Sequence, residues 1–207
     1  MPQQRRQGRT QAVKELKRGL ILEAARKVFE AEGLDGASLR AIAAEAGYTP
    51  PALYFHFASK EAIYAEVLQA SLAGLSEVVT RAAAPAGDPA ERLRRAALAF
   101  FDFYAENPRD LDLGFYLFRG GMKPKGLGRE RDEALNAALA DALRPIAGAA
   151  EALGATREDA NVLTADVFAH AAGLLLLAHT GRIRMFGISA PDLMARHVET
   201  WIERLSA

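Results

Sequence analysis

No cysteine occurs anywhere in the 207 residues. That absence excludes disulfide frameworks, Cys-ligated zinc and thiol nucleophiles together. Net charge is absent too, with 26 basic residues against 26 acidic ones. The N-terminal MPQQRRQGRT lacks the apolar stretch of a signal peptide, so a cytoplasmic location is the expectation. The glycines of RGGMKPKGLGRERD, residues 119–132, follow no strand and lack the GxGxxG spacing, which argues against a nucleotide cradle. A mobile basic loop, able to gate a pocket or attract an acidic effector, is expected there instead. What is present is ordinary for a globular chain: half of the residues are apolar and a quarter charged, too apolar for disorder.

The zero net charge averages two unlike parts. Residues 1–60 hold ten basic residues against six acidic ones, whereas residues 61–207 hold sixteen against twenty. Within the first part Arg5, Arg6, Arg9, Lys14, Lys17 and Arg18 face only Glu15. Such a basic arm is of the kind that meets phosphates, and a solvated tail is the plainer alternative.

The periodicity is helical nearly everywhere. Leu20, Ile21, Ala24, Ala25, Val28 and Phe29 recur at helix spacing up to a stop at Gly33. Ser38 has N-cap character before Leu39, Ile42, Ala43 and Ala46, and Gly47 follows as a residue able to turn the chain at positive φ. Thr49 can cap a third, short helix whose first turn holds Pro50 and Pro51, where the missing N–H groups have no intrahelical partner anyway. Ser59 caps a fourth helix, with Glu61 in its first turn. Two short helices joined by a Gly-containing turn, behind a longer helix and a basic arm, are the parts of a helix-turn-helix DNA reader. Ile42, Ala43 and Leu53 are its expected core, joined by Phe55 and Phe57.

The stretch SLRAIAAEAGYTPPALYFHFASKEAI, residues 38–63, resembles the DNA-binding domain of TetR-family transcriptional regulators, with the IAxxAG, LYFHF and SKEA blocks in order. The resemblance covers residues 16–64. It implies an all-α protein with a basic N-terminal arm (1–15), a three-helix helix-turn-helix domain (16–62) and a larger helical effector-binding and dimerisation domain (63–207). It also implies that Ser38, Tyr48, Thr49, Tyr54, His56 and Lys60 approach the DNA backbone or groove. Their chemistry suits that role, since hydroxyls, an imidazole and an ammonium are all phosphate partners. The sequence departs from the family in the recognition helix, where members often carry a lysine and a glycine in place of Pro50 and Pro51 and a hydroxyl residue at Ala52. Direct readout then falls to Tyr48, Thr49, Arg40 and the arm, with apolar contact of Pro50 or Ala52 on thymine methyls.

Beyond Thr80 the composition shifts to RAAAPAGDPAERL, a break between helices. Asp88 and Pro89 open a helix through Leu93, Ala97, Phe100, Phe101 and Tyr104 to Asn107–Pro108, and another runs from Leu111 to Phe118. Residues 100–118 hold seven of the sixteen aromatics. Core packing accounts for most of them. A pocket for a small apolar effector is the sharper expectation, lined by Phe100, Tyr104, Phe115 and Phe118 with His170 as a second polar grip. The family resemblance points the same way, because its second domain usually binds a small molecule.

Pro145 is expected to kink or break the helix over residues 130–153. The run VFAHAAGLLLLAH, in a helix opening near Thr156, is apolar on every side for about three turns, too short for a bilayer. It must be covered on both sides. With a last helix capped near Ser189 it suggests, as in the TetR family, a homodimer interface through residues 160–205 and no membrane contact.

Asp166 and His170, four apart, share a helix face, and His179 lies nine residues further on at the opposite side. One carboxylate and one imidazole complete neither a metal site nor a nucleophile system. No catalytic residue, metal or cofactor is expected, and the protein is not expected to be an enzyme. The sequence is thus read as a homodimeric, sequence-specific transcriptional regulator of double-stranded DNA. It would be a repressor on a palindromic operator, released by a small hydrophobic effector. The alternative, a helical scaffold or small-molecule-binding protein without a DNA role, leaves the arm and the turn chemistry unexplained.

Overall fold

The structure, a computed structural model, describes residues 2–114 and 126–206. Phe115, Tyr116, Phe118 and the 119–125 part of the glycine-containing loop lie outside the described residues, as do the side chains of residues 2–7, 9 and 10. Helices occur throughout and no strand occurs among the described residues. Two compact units divide the chain: residues 1–70 with 112–135, and residues 71–111 with 136–207.

The first unit holds α1 (Pro2–Gly36), α2 (Leu39–Glu45), α3 (Pro50–Tyr54) and the opening of α4 (Lys60–Ala83). The basic arm is not a separate segment but the start of α1. Residues 11–22 contain no proline and only one glycine among good helix formers, so nothing in them stops the helix. Gly33 interrupts α1 at φ 68° and ψ 177°, a conformation that glycine alone adopts without strain. Past that break, Leu34 and Ala37 turn back into the core. Ile21, Ala25 and Phe29 of α1 are fully buried, as are Ile42, Leu53 and Ile63 from the next three helices. Truncating any such aliphatic to Ala removes about 2–5 kcal/mol, a large share of a small domain's stability. Phe29 meets Tyr64 edge-on at 4.8 Å, and the Tyr64 hydroxyl donates to the Leu113 carbonyl oxygen at 2.8 Å.

The second unit holds the rest of α4, then α5 (Pro89–Glu106), most of α7 (Arg129–Ala152), α8 (Arg157–His179) and α9 (Ala190–Ser206). The short α6 (Pro108–Gly114) contributes to both units. Caps set these boundaries. Asp88 accepts from the Glu91 N–H at 3.2 Å with Pro89 at the first helical position, and Thr156 accepts from the Asp159 N–H at 3.1 Å. α7 continues through Pro145 as one helix, so of the expected kink or break the break does not occur. The proline forfeits one N–H, and the carbonyl it leaves over belongs to Asp141, an exposed residue that water can reach. Leu93, Ala97, Phe100, Phe101, Ile146, Leu163, Leu175, Met194 and Val198 form the core of this unit. Arg94 of α5 pairs with Glu199 of α9, its Nη2 donating to Oε2 at 3.0 Å.

Candidate nucleic-acid interface and the groups of the second unit

The turn between α2 and α3 is set by the main chain. Gly47 N–H donates to the Ala44 oxygen at 3.1 Å and Tyr48 N–H to the Ala43 oxygen at 2.8 Å. Gly47 sits at φ 71°, and an added Cβ would meet nothing within 4 Å. Backbone conformation, not space, demands glycine there. Ser38 caps α2, accepting from the Ala41 N–H at 3.1 Å. Thr49 occupies the N-cap position of α3 without a side-chain cap bond, and Pro50 takes the first helical position.

Around this turn Ser38, Arg40, Thr49 and Tyr54 are exposed, while Tyr48, Pro50, Ala52, His56 and Lys60 are half-buried. Three of these residues have other duties. Ser38 is the cap just described. The Lys60 ammonium donates to the Ala37 oxygen at 2.9 Å, tying the start of α4 to the end of α1. His56 keeps a buried Nδ1 without a hydrogen-bond partner, and its carbonyl accepts from Arg18.

One core assignment fails. Leu53 and Phe57 are buried, but Phe55 is 83% exposed. It follows the last residue of a five-residue helix, and two residues past Leu53 the chain has turned by roughly 200°, away from the core. With Tyr54 it leaves two bare aromatics beside the reading helix.

Arg18, expected among the phosphate-meeting arginines of the arm, turns inward instead. Its Nε donates to Glu66 at 3.0 Å, its Nη2 also reaches Glu66, and its Nη1 donates to the His56 oxygen at 2.6 Å. The guanidinium lies 4.1 Å from the centre of the Phe57 ring. One side chain thereby clamps α1 to α4 and to the segment after α3. Arg18→Ala is expected to destabilise the protein by about 2–3 kcal/mol in denaturant melting, the size of a charge-assisted pair with a cation–π contact at a partly exposed site. A change below about 0.5 kcal/mol, as for an ordinary surface substitution, would contradict the clamp.

In the second unit Phe100 and Tyr104 are buried and meet edge-on at 5.4 Å. Burial, with Asp110 adding to it, holds the Tyr104 phenol above its usual range, so it stays neutral. Phe168 tilts against Phe100 at 5.7 Å, and His179 Nε2 lies 3.3 Å from the Tyr104 backbone carbonyl oxygen. Of the expected ligand residues, Phe100 and Tyr104 thus sit together. His170 sits elsewhere, at the junction of α8 and α9, where its ring stacks on His197 with centroids 3.9 Å apart and planes 12° off parallel. Sequence periodicity within α8 paired His170 with Asp166 and had no means of finding a partner on another helix. Asp166 itself accepts from the Trp201 indole at 2.7 Å. It also lies 3.0 Å from His197 Nε2, which nevertheless lacks a hydrogen-bond partner, so that approach is off-axis.

Burial pushes the His170 imidazole below its ordinary value of 6.5, and the neighbouring His197 pushes the same way, against Asp166 and a Leu193 backbone contact. The sign follows from linkage: near pH 6 the unfolded chain binds a proton that native His170 resists, so stability falls as pH drops through 6.5 and levels off below the native value. His170→Gln should flatten that part of the pH–stability curve, measured by urea melting from pH 7.5 to about 5. An unchanged curve would show that His170 does not titrate as described.

Among the described residues no group of three or more His, Cys, Asp or Glu is placed to hold a metal ion. α4 and α8 are each long and apolar enough to cross a membrane by length and composition, α8 as a whole helix and not through the 167–179 run alone. Val162, Leu163 and Ala165, before the run, extend it within α8. Only 28% of that α8 window is buried, and Val162 and Leu176 stand exposed on it. Met185, Phe186 and Ile188, at and just beyond the 3₁₀ turn Arg182–Phe186, are exposed as well.

A capped α2, a glycine turn and a short α3 without acidic residues, packed on a long α1, define a helix-turn-helix DNA-binding protein. Residues 21–67 match the family described as "Bacterial regulatory proteins, tetR family". The HTH-type transcriptional activator FasR of Mycolicibacterium smegmatis is 39% identical over 99 residues, 48% of this chain and 45% of that protein. The chain thus spans less than half the length of FasR in that match. The HTH-type transcriptional repressor NicS of Pseudomonas putida is 26% identical over 190 residues, 90% of this chain and 87% of that protein. Among solved structures, the transcriptional regulator FadR of Bacillus subtilis in complex with stearoyl-CoA has a similar fold. Its TM-score is 0.68 at 16% identity, over 88% of this chain and 96% of that one.

Proposed function

We propose that the protein is a homodimeric, sequence-specific DNA-binding repressor, cytoplasmic and without catalytic activity, that a small apolar effector releases from a palindromic operator. The observation that carries the reading is the helix-turn-helix of residues 21–67, with Arg40, Thr49 and Tyr54 bare around its turn. Ser38, Tyr48, Pro50, Ala52, His56 and Lys60 complete the proposed DNA surface, to which exposed Phe55 adds apolar contact with sugars or thymine methyls. NicS, aligned along most of both chains, is named a repressor, which supports that sign of regulation.

Dimerisation through residues 160–205 is favoured by the uncovered apolar side of α8 and by Met185 and Phe186 near it. A membrane is the weaker occupant, because Asp166 and His170 of the same helix hold polar contacts with Trp201 and His197 of α9. The proposed effector site is in the second unit against Phe100 and Tyr104, and the stearoyl-CoA of FadR supports an apolar ligand for this fold. α4 supplies residues to both units, so an effector that prefers one arrangement of α4 biases the DNA-binding unit.

Selection from a random-duplex library tests the reading. An inverted repeat with half-sites about 34–36 Å apart, or somewhat more, is the expected product. No enrichment over the starting library would overturn the regulator reading in favour of a scaffold.

A further inference from the structure

We propose that a cleft of the second unit, at the end of α4, binds a small carboxylate with a compact apolar body. The cleft encloses about 370 Å³, near the lower end of ligand-pocket sizes. Thr80, Ala83 and Ala86 form one side, Pro145 and Gly148 of α7 another, and Arg92 of α5 is the one charged residue of its lining. Phe100 and Tyr104 do not line it.

Arg92 lacks what its chemistry demands. Its Nε is buried and has no hydrogen-bond partner, and a guanidinium stays charged at every pH the protein meets. A buried donor without an acceptor is destabilising. The acids nearest in sequence are already engaged. Asp88 caps α5 through the Glu91 N–H, and the Glu91 carboxylate accepts from both Arg94 and Arg95. Arg92 also stands in the first turn of α5, where the helix dipole disfavours a cation and favours an anion. An anion from outside the chain satisfies both conditions.

The walls settle the rest of the ligand. Alanine, proline and glycine offer it no charge, and Thr80 provides the one side-chain hydroxyl of the lining. A single carboxylate on Arg92 with an apolar remainder against α7 matches that distribution. A Cβ added to Gly148 would meet nothing within 4 Å, so the space beside it is open to the ligand.

The inference goes beyond the effector reading and does not depend on it, because binding is read without DNA. Calorimetric titration of the full chain with hexanoate should give one site per chain. Hexan-1-ol, which keeps the body but lacks the charge, and acetate, which keeps the charge but lacks the body, should bind at least about tenfold more weakly. Arg92→Gln should weaken hexanoate by about tenfold or more, the loss expected for a charge-assisted pair. Gly148→Phe should fill the cleft and abolish binding, with Gly148→Leu as the milder filler should the larger ring prevent folding. Hexanoate binding no better than hexan-1-ol, or binding that survives both Arg92→Gln and the filled cleft, would overturn the proposal.

Discussion

Raising the salt from 50 to 200 mM should lower the affinity for operator DNA by a factor of about 10³–10⁵, the loss that follows when six to ten phosphate contacts release their counterions. The basic residues of the first unit are what make that number reachable. Arg18 is withdrawn from the count by its clamp on Glu66, and the Lys60 ammonium is partly engaged by Ala37. Lys14, Lys17 and Arg40 remain exposed, and a two-fold assembly presents each of them twice. Arg40→Ala, on α2 beside the turn, should weaken all duplexes if Arg40 meets phosphate and relax one base position if it reads a base edge. Gel-shift titrations at three or more salt concentrations measure the slope. A flat slope would mean that phosphates are not the partner of this surface.

Placing arginine at Leu176 should convert the protein to a monomer. The four leucines at 174–177 look alike in the sequence, yet they differ in the fold. Leu174 and Leu175 are buried within their own protomer, so a charge there would damage the chain itself, whereas Leu176 is 61% exposed and tolerates a charge in the isolated protomer. In the proposed two-fold dimer the charge enters the interface from both sides. An uncompensated guanidinium in a closed interface costs about 3–5 kcal/mol, which raises the dimer dissociation constant by at least about 10². Operator affinity should fall with it, because the two half-sites would be bound by independent chains instead of one linked pair. Sedimentation velocity of Leu176→Arg, with a melting curve to show that it remains folded, measures the effect. A folded variant that stays dimeric would move the interface away from α8.

Local chemistry explains which parts of the fold were legible in the sequence. The caps at Ser38, Ser59, Asp88 and Thr156 and the positive φ of Gly47 are decided within three or four residues, and the structure has each of them where short-range reasoning sets it. Pro50 at the start of α3 belongs to the same class. Arg18 was illegible because its partner Glu66 lies 48 residues away, and only a fold brings them together. Phe55 was misread because Leu53, Phe55 and Phe57 alternate as look-alike apolar residues, while a helix of five residues can bury only one of its faces. Pro145 leaves α7 unbroken, and the carbonyl it strands belongs to exposed Asp141. The His170–His197 stack and the Arg92 cleft each join helices that are remote in sequence, so neither leaves a motif.

Sedimentation equilibrium of the unmodified protein with the selected duplex tests the central claim most directly. Two chains should sediment with each duplex at low salt, and the complex should dissociate as salt rises. Duplex that sediments alone at micromolar protein, or a stoichiometry of one chain per duplex, would contradict a dimeric helix-turn-helix regulator.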